Sequence, residues 1–223
     1  MKYIFTILLM LFLQAQAFAW TYHSIYDLQG NKVYENKDAS VDYYNKECIV
    51  LKDSKGYYFS FPNGKRSKYY SVLKKLPMSE IYFIAQTPEM KGKADVLNNQ
   101  GKLVIPYKNY YYWDYIYTND NKLIVYDEKE NKPYIIDKNG TKTAISENRF
   151  QQEHELQEKR KEAFSVEHKV CKKYNNTFRG RKYFTYEENG LWGVRDYSDK
   201  LILKPVFKNM IKIVDDYIYE IEF

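Results

Sequence analysis

The chain has 223 residues, 35 Lys and Arg against 29 Asp and Glu, a formal net charge of +6, and 25 Tyr beside only 9 Gly. A chain of this size can bury a real core in one large or two small domains. Its basic residues are spread along the whole length, so the excess reads as solubility and argues against a clustered nucleic-acid footprint.

The first nineteen residues are expected to be a secretory signal peptide. Met1-Lys2-Tyr3 supplies a short basic start, "IFTILLMLFL" is uncharged and apolar, and Ala17-Phe18-Ala19 has the small-x-small form of a cleavage site before Trp20. The apolar run is shorter than the ~18–20 residues of a spanning helix, and no cysteine near the cut marks a lipoprotein. Cleavage leaves 204 residues at a formal charge of +5, with no later segment apolar enough to span a bilayer. The expectation is an exported protein, periplasmic or secreted.

From residue 20 to 145 the chain reads as successive β-hairpins. "SIYDLQGNKVYE", "YYFSFPNGKRSKYY", "GKADVLNNQGKLVIPYKNY" and "NKPYIIDKNGTKTAI" each place strand residues on both sides of a turn rich in Asn, Asp and Gly. Glycine there supplies the positive φ that such turns require. The turn glycines Gly30, Gly64, Gly101 and Gly140 recur at intervals of 34, 37 and 39 residues, and Asp199 takes the matching place 59 residues later. Self-similarity of this period marks a repeat architecture. Tyrosine, an apolar ring with a polar tip, suits the half-buried sheet faces of such a fold.

Between Tyr107 and Asp120 the aromatic density peaks. Alternation puts Tyr111, Trp113, Tyr115 and Tyr117 on one strand face, a candidate platform for stacking on sugar rings or gripping a peptide. Packing of both faces against neighbouring hairpins is the alternative reading.

Residues 146–174 interrupt the repeats with a helical pattern. Ser146 is an N-cap residue, no Gly or Pro intervenes, and Glu155 with Lys159 forms an i,i+4 pair. Phe150, Leu156, Ala163, Phe164 and Val170 make a thin apolar stripe, so the helix is expected to dock lightly or project.

The last repeat, within 175–223, is "GLWGVRDYSDKLILKPVFKNM". Alternation places Trp192 on a buried face. Gly193 beside it calls for a close backbone or an aromatic ring over the vacant position. Pro205 is expected to mark the end of the returning strand, and Ile218, Tyr219 and Ile221 to close the sheet. This stretch closely resembles a WG repeat, a short bacterial β-repeat with a Trp-Gly core, a turn glycine and a terminal Pro-aromatic element. "ADVLNNQGKLVIPYKNY" looks like the same unit with Ala94-Asp95 in place of Trp-Gly, and the other hairpins match more weakly. The resemblance implies a scaffold of about five degenerate β-hairpin repeats in an antiparallel meander with one inserted α-helix. It also implies a binding or interaction role, with no catalytic residue to carry over.

Nothing else in the chain spells out catalysis or a cofactor. His154 and His168 share a helix face but stand about 21 Å apart along it, too far to share an ion. Glu187-Glu188 and Asp215-Asp216 are adjacent, so strand geometry points them to opposite faces. Cys171 with His168 at i−3 lacks an orienting third group. Cys48 and Cys171 could pair as a disulfide in an oxidising compartment or stay as two thiols, and both readings are open. The expected function is therefore a non-catalytic protein-interaction module of the envelope or cell exterior. Glycan binding through the Tyr111–Tyr117 platform is the alternative.

Overall fold

A computed structural model describes residues 21–222, apart from 77, 78, 80, 92, 107–115, 118–121, 128, 129 and 166–168. The chain is mainly β, and its described residues form five antiparallel sheets and one α-helix. It divides into two compact units, residues 36–173 and the two chain ends, 21–35 with 174–222.

The terminal unit holds two four-stranded sheets. One contains β1 (Thr21–Tyr26) and β2 (Lys32–Glu35) from the start of the chain, with β18 (Ile211–Val214) and β19 (Tyr217–Glu222) from its end, in the order β18-β19-β1-β2. Thr21 pairs with Glu222 and Tyr26 with Ile218. The closing strand expected at Ile218–Ile221 thus completes the first hairpin, a pairing across nearly the whole chain. The other sheet is a meander of β14 (Asn175–Arg179), β15 (Tyr183–Glu188), β16 (Leu191–Asp196) and β17 (Leu201–Phe207).

The internal unit holds three sheets. The first is β3 (Ser40–Tyr44), β4 (Ile49–Asp53) and β5 (Gly56–Ser60), onto which residues 66–70 bridge at Ser60↔Arg66 and Tyr57↔Tyr70. The second is β6 (Val72–Lys75), β7 (Tyr82–Gln86), β8 (Asp95–Asn98) and β9 (Leu103–Ile105), and the third is β10 (Ile116–Tyr117), β11 (Leu123–Asp127), β12 (Lys132–Ile136) and β13 (Lys142–Ala144). Tyr82, Val96 and Ile105 of the second sheet pack with Leu123, Val125 and Ile136 of the third in one buried cluster.

The repeating unit is thus a sheet, and the hairpin read from the sequence is its second half. The glycine-bearing turn always joins the last two strands. In all five turns the N–H of the first residue (Asp27, Phe61, Asn98, Asp137, Asp196) donates to the carbonyl four residues on, at 2.9–3.2 Å. The N–H of the fourth residue donates back to the carbonyl of the first. That fourth residue has positive φ throughout: Gly30 83°, Gly64 78°, Gly101 72°, Gly140 87° and Asp199 71°.

The insertion is α1 (Glu147–Ser165), followed by a 3-10 turn at Lys169–Lys173. Ser146 caps it, its Oγ accepting the Arg149 N–H at 3.3 Å. Of the expected stripe, Phe150 packs on Tyr126 at 5.5 Å but Leu156 is exposed, and Gln157, two turns on from Phe150, is buried in its stead.

Trp192 is 7% exposed and sits in a cluster with Val194, Phe207, Ile211, Ile213 and Ile218. Its ring lies 5.7 Å from that of Phe178. A Cβ on Gly193 would fall 2.8 Å from the Leu203 carbonyl oxygen, 2.9 Å from Pro205 N and 3.1 Å from Tyr186 Cε1, so β17 and an aromatic ring both close on the vacant position. Pro205 does not end the strand. It lies inside β17, an edge strand whose register to β16 shifts between Trp192 and Val194, so no ladder bond is forfeited by its missing N–H.

Trp192→Ala is expected to destabilise the chain by about 3–5 kcal/mol through the cavity it leaves, and Gly193→Ala by about 1–3 kcal/mol through overpacking against β17. Urea melts of the two variants check both values.

Candidate functional site

The residues marked by the sequence fall into structural and surface roles. Tyr111, Trp113 and Tyr115 lie outside the described residues, and Tyr117 ends β10, paired with Leu123. Trp192 and Gly193 are core, and Gly30, Gly64, Gly101 and Gly140 are the turn positions given above. Cys48 and Cys171 are both buried, with no disulfide between them in this structure. Cys48 lies in the turn before β4, where burial pushes its thiol up to about 12 and keeps it protonated. His154 lies on α1, and His168 is outside the described residues. Lys182 pairs with Asp216 at 3.1 Å, and Glu187 accepts a hydrogen bond from Asn176. Among the described residues no three His, Cys, Asp or Glu side chains converge as a metal-ligand group.

Three of the carboxyls whose titration is lowered belong to the repeated turns. Asp27, Asp137 and Asp196 open three of the five turns, and Asn98 a fourth. Each presents Oδ1 to the backbone N–H groups two and four residues on, at 2.8–3.0 Å. Donors hold all three carboxyls below the ordinary aspartate range. The leading donor is the Asn31 side chain for Asp27, the Thr141 N–H for Asp137 and the Ser198 hydroxyl for Asp196. These carboxylates cap turns and are not arranged for proton transfer.

Asp199 departs from the glycine pattern for a reason the sequence did not disclose. Its Oδ1 accepts the Tyr174 hydroxyl at 2.7 Å and lies 3.6 Å from Arg195 Nη1, which donates to the Asp199 carbonyl at 2.8 Å. The Arg195 guanidinium rests 5.1 Å from the ring centres of both Tyr174 and Tyr186. This cluster fastens the start of the last meander to its final turn. The one readable signal was an aspartate where glycine carries no steric cost, since aspartate tolerates positive φ only with some strain.

Exposed apolar side chains follow the repeat. Among the described residues the large ones are Val33, Tyr69, Leu103, Leu156, Leu201 and Val206. All but Leu156 lie on the last strand of a sheet: β2, the 66–70 segment, β9 and β17. β2, β9 and β17 are edges, with a ladder on one side only. β17 carries two, Leu201 and Val206, each 46% exposed, beside Lys200, Lys204 and Lys208.

No family model, no curated protein and no solved structure matches this chain.

A carboxyl depressed by folding stabilises the protein above its unfolded pKa, and that contribution is lost as pH falls through the folded value. Stability is therefore expected to drop on acidification from roughly pH 5 to pH 2. Asparagine can make the same turn bonds, as Asn98 does. A variant with Asp27, Asp137 and Asp196 all changed to Asn should keep the fold and lose less stability over that window, measured by urea melts at stepped pH.

Proposed function

We propose that the chain is a non-catalytic, exported β-repeat protein of the WG type, acting as a protein-interaction module in the cell envelope or outside the cell, with the outer strands of its sheets as the contact surface. The observation that carries this reading is the concentration of exposed large apolar side chains on the edge strands β2, β9 and β17, most of all on β17. An apolar side chain on a sheet edge is a hazard unless something covers it.

β17 also carries what blocks indiscriminate pairing. Pro205 removes a donor from the edge, and the flanking lysines repel a second copy of the same strand. Recognition at such an edge therefore runs through side chains more than through a long backbone ladder. A partner segment with apolar residues and acidic neighbours complements it. The engagement of the three turn aspartates in capping favours a binding scaffold over an acid–base catalyst.

The test is a cross-linking pull-down from native envelope extract, with the chain beginning at Trp20 as bait, against the Leu201→Ser, Val206→Ser double variant. The variant should melt as the parent does, since exposed substitutions change stability by about 0.5 kcal/mol or less. One enriched protein lost in the variant supports the proposal. The same capture by parent and variant contradicts it.

A further inference from the structure

Two adjacent turns of the internal unit, Asn98–Lys102 and Asp137–Thr141, enclose a cleft of about 410 Å³. Its walls are fixed by bonds already made. Asn98 is buried, spends Oδ1 on its own turn, and donates Nδ2 to the Lys138 carbonyl at 2.9 Å, tying one turn to the next. Behind the second turn, a Cβ on Gly140 would stand 3.3 Å from the Val104 carbonyl oxygen, so the turn rests on the backbone of β9. Asn99 reaches across to donate to Glu47 Oε2.

What the fixed walls present is polar and uncommitted. Gln100, Lys138 and Asn139 line the cleft, are exposed, and their side chains bond no other described residue. Glu47 has its Oε1 open in the same sense, and Ile81 is the one apolar side chain of the lining among the described residues. Among the described residues the ionisable groups of the lining are two carboxylates, Glu47 and Asp137, and two amines, Lys122 and Lys138. They balance, so the cleft does not select a strongly anionic or cationic ligand.

We infer that this cleft is a saccharide-binding site that takes a neutral, hydroxyl-rich glycan segment. A carboxamide offers one acceptor and two donors, and a carboxylate oxygen accepts, which matches neighbouring sugar hydroxyls that donate and accept together. Ile81 suits the C–H face of a sugar ring. The volume lies in the range of roughly 300–1,000 Å³ usual for small-ligand pockets, but those are mostly apolar. A peptide anchored by buried side chains would find one apolar contact here. The site goes beyond the outer-strand surface and uses none of its residues.

The experiment is a ¹H–¹⁵N titration of the chain from Trp20 with neutral tetrasaccharides of glucose, mannose, galactose and N-acetylglucosamine, and with an acidic one of galacturonate. The expected result is saturable binding of at least one neutral probe, with shifts of the Gln100 and Asn139 side-chain amides. Gln100→Ala and Asn139→Ala should each weaken it roughly fivefold to tenfold. Melting temperature should not move, because neither side chain bonds the protein. The inference is overturned if no neutral probe binds, if only galacturonate does, or if shifts and affinity are indifferent to both variants.

Discussion

The pairing of β1 with β19 is the constraint on which the terminal unit depends. An isolated two-stranded hairpin is marginal in water. Neither β1 with β2 nor β18 with β19 has a sheet of its own, so each hairpin becomes stable by laddering onto the other. The pairing also assembles the tryptophan cluster. Tyr26 and Leu28 from the first hairpin, and Ile211, Ile213 and Ile218 from the last, pack with Trp192 and Phe207. A contact between the two ends of the chain therefore completes the cluster in which Trp192 is buried.

Within each sheet the organising device is local. A five-residue turn with positive φ at its fourth position recurs five times, joining the third and fourth strands of four sheets and β5 to the 66–70 segment in the other, and in four cases an Asp or Asn side chain satisfies two of its backbone donors. The turn leaves its second and third residues chemically unconstrained, which is how Asn99-Gln100 and Lys138-Asn139 can face a shared cleft. It also delivers the chain to an edge strand, which is how Val33, Leu103, Leu201 and Val206 come to be exposed.

This division explains what could be read from the sequence. Gly30, Gly64, Gly101, Gly140 and Asp199 mark hairpins because turn chemistry is local and residue-specific. The pairs β3–β4 and β6–β7 were not legible as hairpins because their connections differ. Asn45 accepts the N–H groups of Glu47 and Cys48 in one, while Ser79 accepts those of Ile81 and Tyr82 in another. The β1–β19 ladder was invisible, since apolar alternation in "YIYEIE" shows a strand without naming its partner. Gln100 and Asn139 read as ordinary turn residues, and only the bond from Asn98 to Lys138 brings their turns together. Pro205 stands inside β17 because that strand is an edge, a placement that local sequence does not reveal.

The most direct test of the account is hydrogen exchange across β1 and β2, comparing the chain from Trp20 with one truncated after residue 216. The account predicts that β1 amides in the longer chain exchange as slowly as those of β16, and that loss of β19 brings β1 and β2 to unprotected rates. Protection retained in β1 and β2 after truncation would mean that the first hairpin stands without the last, and would contradict the shared terminal sheet.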